Sequence, residues 1–248
     1  MQKRKITFQT RLLSNFYLFF KPQHRKSAMI LLYAVLAMVT WKTIIVPDAV
    51  FESQYDNATF PPFFLFLLGS YKILLAFLLF GMIPLLIVRF VFHEKIADYG
   101  LQLGKIKRGG KIFLCMIPVM IAAAWFAGKT PEFLNVYPYN RVLLEYYPAF
   151  FPYHAVLYLF YYFGWEFFFR GFVQNGLKKP FGLGNAILIQ TLASTLLHFG
   201  NPETEVWGSI VAGFFWGIIA YRTRSILSGF LQHSLLGIVL DWLLINHS

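Results

Sequence analysis

The chain has 248 residues and a composition that excludes an ordinary soluble domain. Hydrophobic residues make up 58% of it, aromatic residues 20% and charged residues only 13%, which is typical of membrane proteins. The formal net charge of +11 does not indicate nucleic acid, because the basic residues cluster in loops between apolar runs. Loop cations of this kind set membrane topology and contact anionic lipid. The single cysteine, Cys115, excludes an intramolecular disulfide and a cysteine-based metal site.

The first 27 residues form a basic segment before the first long apolar run. It carries seven lysines and arginines around the short aromatic run 16–20, which is too short to span a bilayer. We expect an interfacial segment on the cytoplasmic side of the membrane. The segment has no long apolar core and no small-residue cleavage site, so we expect no signal peptide.

Residues 28–248 are predicted to form one all-α, polytopic transmembrane bundle. We expect about seven spans, at residues 28–46, 73–92, 112–127, 153–175, 185–199, 206–221 and 226–245. Residues 63–69 are expected to form an interfacial stretch before the second span. Basic residues in the N-terminal segment and in the turns after spans two, four and six place the N-terminus in the cytoplasm. The prediction is a multi-pass protein of the cell (plasma or inner) membrane, and the lack of an internal repeat disfavours a transporter.

Span four contains two opposite charges within the aromatic run 163–172. Glu166 and Arg170 are four residues apart, which places them on the same helix face. Ionisable residues inside a membrane are costly and mark functional sites by default. The alternative is a mutually neutralising pair that helps to pack the bundle.

Two histidines on other spans lie at a similar depth. Span five carries the polar stripe Gln190, Ser194 and His198, and span seven carries His233. Measured from the cytoplasmic turns at ~1.5 Å per residue, Glu166, His198 and His233 lie ~18, ~20 and ~14 Å deep. A carboxylate and two imidazoles in one layer can activate a water molecule or bind a divalent metal such as zinc. For Ser194, interhelical hydrogen bonding is the simpler interpretation.

These residues resemble the three motifs of the CPBP family of intramembrane proteases, which includes the CAAX proteases and the bacteriocin-processing (Abi) proteins. The family pattern is Glu-Glu-x-x-x-Arg, then Phe-x-x-x-His, then His-x-x-x-Asn or Asp. Glu166 and Arg170 match the first motif, His198 the second and His233 the third. The resemblance covers about residues 153–244.

The chain departs from the family pattern at three positions. Trp165 stands in place of the first glutamate, Ser194 in place of the motif phenylalanine and Gly237 in place of the third-motif Asn or Asp. A carboxylate and an oxyanion or ligand group are therefore missing. Glu205, near the start of span six, is a possible additional site residue, with a solvated loop acid as the alternative. Asp241 lies too far along its helix to replace a group at position 237.

The resemblance implies an intramembrane endopeptidase. Glu166 and His198 would activate water, with His233 at the oxyanion or at a metal, and Arg170 would position Glu166. Glu166, His198 and His233 would be the ligands if a metal is used. The expected partners are membrane lipid and a peptide or protein substrate that enters from the membrane or the cytoplasm, and no nucleic acid. The alternative function is a catalytically silent relative that acts as a scaffold or a bacteriocin-immunity factor.

Overall fold

The structure is a computed structural model that describes residues 21–45, 61–146 and 149–247. Within these ranges the chain is helical and has no β-strand, so the predicted all-α, polytopic fold is confirmed. Most of the basic N-terminal segment predicted for residues 1–27 lies outside the described residues. The chain is a multi-pass membrane protein.

The helices are named here in chain order. They are α1 Pro22–Thr40, continued by a π-helical turn Trp41–Ile45; α2 Pro62–Val91; α3 Ile106–Gly128; α4 Val142–Tyr146; α5 Phe151–Glu166, continued by a π-helical segment Phe167–Val173; α6 Gln174–Phe181; α7 Leu183–His198; α8 Glu203–Thr223; and α9 Leu227–His247. Single 3₁₀ turns lie at Ile96–Tyr99 and Pro131–Asn135.

Five of these helical segments are long and apolar enough to cross a membrane. They are His24–Ile45, Pro62–Val91, Ile106–Gly128, Glu203–Thr223 and Leu227–Asn246. The other two predicted spans, four and five, fall on the α5–α6 run and on α7. Helix α7 has only 16 residues, or ~24 Å of helix, which is less than the ~30 Å hydrocarbon thickness.

Residues 63–69, expected to form an interfacial stretch, are continuous with the second candidate membrane span, which begins at Pro62. The 30 residues of this segment make ~45 Å of helix, more than the ~30 Å hydrocarbon thickness, so the interfacial position of residues 63–69 stays a prediction. Ser70 interrupts this segment only locally. Its hydroxyl donates to the carbonyl of Phe66 at 2.8 Å, and its backbone N–H donates to the same carbonyl at 3.1 Å. The chain therefore stays helical across the break.

Helix α5 and its π-helical continuation form the centre of the bundle. All seven residues of Phe167–Val173 are buried; six of them are apolar, and the seventh, Arg170, forms an ion pair with Glu166. Gly164 lets α2 approach closely, because a Cβ there would lie 3.2 Å from the Cα of Phe77. The π-helical segment begins directly after Glu166, and such widened turns are frequent at functional sites.

Helices α7 and α8 cross at two glycines of α8. The Gln190 side-chain amide of α7 donates to the carbonyl of Gly213 at 2.8 Å, and the Gln174 amide at the start of α6 donates to the carbonyl of Gly217 at 2.9 Å. These bonds need a close backbone approach, which the missing side chains of the two glycines allow. The crossing fixes the polar stripe of α7 toward the interior of the bundle.

Candidate active site

Glu166 is fully buried and contacts two other predicted site residues. Its Oε1 lies 2.9 Å from Nδ1 of His233 and 3.2 Å from Nη1 of Arg170. The contact with Arg170 is an ion pair without hydrogen-bond geometry. Glu166 therefore joins α5, its π-helical continuation and α9, and it orients the imidazole of His233.

The other carboxylate oxygen of Glu166 faces the backbone of α9. A Cβ at Gly229 would lie only 3.0 Å from Oε2, so the glycine makes room for the carboxylate. Oε2 has no hydrogen-bond partner among the described residues. The Glu166 side chain is 0% exposed and that of His233 is 14% exposed, so only the histidine of this pair is accessible from the cavity that it lines.

A second histidine–carboxylate pair joins the end of α7 to the start of α8. Nε2 of His198 lies 3.7 Å from Oε1 of Glu205. Nδ1 of His198 lies 2.7 Å from the carbonyl of Ser194. That carbonyl can only accept, so Nδ1 carries the proton and Nε2 of the neutral ring is left as an acceptor. The two side chains are 13% and 18% exposed.

Glu205 is held in place by residues of two loops that the sequence analysis did not single out. The hydroxyl of Tyr137 donates to Oε1 of Glu205 at 2.7 Å, and the Asn201 side-chain amide donates to the same oxygen at 2.9 Å. Burial, and secondly the charge of Glu205, raise the pKa of Tyr137 well above its ordinary value. Tyr137 therefore stays a neutral donor, and Glu205 is a structured acid rather than a solvated loop acid.

Both histidines face one cavity of about 570 Å³. His198, His233, Arg170 and Glu205 contribute to its lining, whereas Glu166 does not. This volume lies in the range of ligand-binding pockets, ~300–1,000 Å³. The structure thus places four of the five predicted site residues around one space and sets Glu166 behind His233.

Trp165 forms the wall between the two histidines. Its ring lies edge-to-face with that of His198 at a centroid distance of 5.5 Å and with that of His233 at 6.4 Å. It occupies the position of the missing motif glutamate. The nearby carboxylate that reaches the cavity beside His198 is that of Glu205, which comes from a different helix.

Tyr162 occupies the space left by Gly237. A Cβ at Gly237 would lie 1.8 Å from the hydroxyl oxygen of Tyr162, and both residues line the cavity. The ring of Tyr162 lies 4.4 Å from that of His233. A hydroxyl from α5 therefore stands where a third-motif side chain on α9 would project. The signal in the sequence was the glycine itself, because it leaves room for a group from a neighbouring helix.

Asp241 also reaches the cavity, but in a different pair. Its Oδ2 lies 2.8 Å from Nε2 of His154, and both side chains are buried. His154 went unnoticed in the sequence because it lies at the start of α5, away from every motif. The pair links the first turn of α5 to the last third of α9.

The predicted metal ligands are divided between two pairs. Glu166 contacts His233, while His198 faces Glu205. Among the described residues, no three His, Cys, Asp or Glu side chains form a group that could hold a metal ion. A divalent metal stays a prediction from the sequence, and the donor set in this arrangement does not fit one.

A comparison with protein-family models matches residues 147–239 to the family described as type II CAAX prenyl endopeptidase Rce1-like. This part of the chain is similar to the Rce1-like family. The match contains Trp165, Glu166, Arg170, His198 and His233, and also Glu205. No curated protein and no solved structure matches the chain. The family is one of CAAX-type proteases, which agrees with the resemblance seen in the motifs.

Proposed function

We propose that this protein is an intramembrane endopeptidase of the CAAX type in the cell membrane. The observation that carries the proposal is the pairing of His198 with Glu205 on the cavity that also contains His233. The substrate is a peptide or protein that enters from the membrane or the cytoplasmic side, and membrane lipid surrounds the bundle. No nucleic acid is involved.

Water would be activated between Glu205 and His198. A water molecule that donates one hydrogen bond to the Glu205 carboxylate and one to Nε2 of His198 lies with its oxygen free to attack a carbonyl. The carboxylate takes the proton as the carbon–oxygen bond forms, and it returns the proton to the leaving amine as the carbon–nitrogen bond breaks. Tyr137 and Asn201 hold the carboxylate throughout, so little reorganisation is needed.

The developing oxyanion would be stabilised on the opposite side of the cavity. Tyr162 would donate a hydrogen bond from its hydroxyl to the oxyanion. Glu166 fixes Nδ1 of His233 and so keeps that ring beside the oxyanion, while Arg170 balances the charge of Glu166. Glu166 is thus a positioning residue in this proposal, and the role of base moves from Glu166 to Glu205.

The second candidate is a catalytically silent relative that acts as a scaffold or a bacteriocin-immunity factor. Trp165 favours it, because an indole cannot act as the base that the family motif supplies there. The two functions differ in their response to removal of His198, since a scaffold does not need an imidazole in its cavity.

The test is a cleavage assay with purified protein in proteoliposomes. Farnesylated and unmodified peptides with matched C-terminal sequences are incubated with the wild type and with His198→Gln, and the products are identified by mass spectrometry. We expect a product from the wild type and a loss of rate of about 10²–10⁴-fold in the variant. No product from the wild type with either peptide, together with an unchanged cellular phenotype of His198→Gln, would support the silent relative.

A further inference from the structure

A second cavity of about 690 Å³ opens away from the candidate active site. Its walls come from the loop before α3, from the α6 region and from the turn between α8 and α9. Five cationic side chains line it, together with a single acid, Asp98. The five are Lys105, Arg108, Lys178, Arg222 and Arg224. The turns that supply them are those that the positive-inside rule assigns to the cytoplasm.

Membrane topology alone does not require this arrangement. Cations at any position in a cytoplasmic loop would set the same orientation, and Lys107 and Lys111 of the same segment do not line the cavity. None of the five lining cations lies within 4 Å of a described carboxylate as an ion pair. Cations that surround a concave space without paired carboxylates repel one another, and an anion in that space relieves the repulsion.

Lys178 is the clearest case of a lining cation without an anionic partner. Its ammonium donates to the side-chain oxygen of Asn175 at 2.8 Å, a neutral partner. Burial lowers the pKa of Lys178, while Asp98 opposes the shift and Lys26 adds to it. The protein therefore keeps a partly buried cation at the cavity wall without a carboxylate in contact.

The walls of this cavity are fixed to one another by backbone bonds. The N–H of Lys105 donates to the carbonyl of Thr223 at 2.7 Å, and the N–H of Ile226 donates to the carbonyl of Gly100 at 3.0 Å. Gly104, with φ of +53°, allows the close approach, because a Cβ there would lie 2.3 Å from the Thr223 carbonyl oxygen. A rigid cationic site loses little conformational entropy when it binds a ligand.

We propose that this cavity binds a phosphate-bearing anion. Arginine and lysine together are the usual phosphate-binding set, with the guanidinium groups as forked donors. The volume exceeds what inorganic phosphate alone would fill and suits a phosphodiester or a diphosphate with attached groups. The anion comes either from the headgroup of an anionic phospholipid or from a soluble phosphate compound. Exposed Leu103 and Ile106 next to Lys105 offer apolar surface for acyl chains.

The test compares two double variants that remove the same charge from the same segment. Lys105→Gln/Arg108→Gln removes two lining cations, and Lys107→Gln/Lys111→Gln removes two that do not line the cavity. Phosphatidylglycerol retained by the purified full-length protein is measured by native mass spectrometry, with phosphatidylcholine as the neutral reference. In a second experiment, the affinity of the same proteins for inorganic pyrophosphate is measured by calorimetric titration. Retained lipid alone indicates a headgroup site, and pyrophosphate binding that displaces the lipid indicates a soluble ligand.

We expect the lining variant to bind at least one of these anions about 30-fold more weakly, from roughly fivefold per cation. The other variant should stay within about twofold of the wild type. Equal weakening in both variants would show a diffuse charge effect and overturn the proposal, as would a wild type that binds neither anion. Arg222→Gln, which changes one exposed lining residue, replaces the lining variant if that variant does not fold.

Discussion

Tyr162→Phe removes one oxygen atom from the cavity wall. This hydroxyl lies where a Cβ on Gly237 would project, at 1.8 Å. In the proposed mechanism it donates a hydrogen bond to the oxyanion. Its loss therefore raises the free energy of the transition state and leaves the stability of the fold unchanged. Removal of one such donor lowers kcat by about 10²–10³-fold, or roughly 3–4 kcal/mol of transition-state stabilisation.

Tyr158→Phe is the matched control for this variant. Tyr158 is on the same helix, one turn earlier, and is also buried, but it does not line the cavity. Both variants delete a tyrosine hydroxyl from α5, so a general effect of the deletion would appear in both. We expect near wild-type turnover from Tyr158→Phe, and similar thermal unfolding of both variants.

The assay is steady-state cleavage of a C-terminal peptide in proteoliposomes. We expect Tyr162→Phe to lower kcat with little change in KM, because the donor acts on developing charge. A rate within threefold of the wild type would refute the assignment of Tyr162. A higher KM with unchanged kcat would refute it as well, since the hydroxyl would then bind substrate and transition state equally.

Two further predictions concern other contacts. Gly229→Ala should place a methyl group against Oε2 of Glu166, where the Cβ would lie at 3.0 Å. We expect a lower kcat, with the melting temperature as the control for folding. An unchanged kcat would show that the position of Glu166 does not matter. Glu94→Gln should lower the melting temperature at neutral pH. Although burial favours the neutral acid, the hydrogen bonds from Lys26 and Tyr99 leave the pKa of Glu94 below its ordinary value. The stabilisation is therefore present above the unfolded-state pKa of ~4.3, and the difference between wild type and variant should shrink as the pH falls below it. A difference that does not depend on pH would contradict the ion-pair explanation.

The overall fold followed from the hydropathy of the chain. In a membrane, the backbone N–H and C=O groups of a long apolar run must form hydrogen bonds within the protein, and a helix satisfies all of them within the run itself. The boundaries were harder to predict. Residues 63–69 are continuous with the second span because the helical hydrogen bonds persist through Ser70, whose backbone N–H and hydroxyl both donate to the Phe66 carbonyl. The π-helical segment Phe167–Val173 could not be predicted from its run of phenylalanines, because the sequence pattern does not show how the segment packs against neighbouring helices.

The sequence predicted which residues lie near the site, but it did not predict which carboxylate contacts which histidine. Spacing placed Glu166, His198 and His233 in one layer, and the two histidines do line one cavity. Depth along a helix does not specify the direction of a side chain, so the partner of each histidine stayed open. Glu166 contacts His233, and Glu205, whose carboxylate accepts a hydrogen bond from Asn201 in the loop between α7 and α8, lies beside His198.

The central claim is that Glu205 supplies the carboxylate missing at position 165. Glu205→Gln tests it most directly, with Glu203→Gln as the control from the same helical turn. Glu203 is exposed, and its carboxylate accepts a hydrogen bond from the indole N–H of Trp207 at 3.3 Å. The measurement is kcat for cleavage of a C-terminal peptide by both variants in proteoliposomes. The account predicts a loss of about 10²–10⁴-fold for Glu205→Gln and wild-type turnover for Glu203→Gln. If the wild type cleaves the peptide and Glu205→Gln cleaves it at the same rate, the account is contradicted.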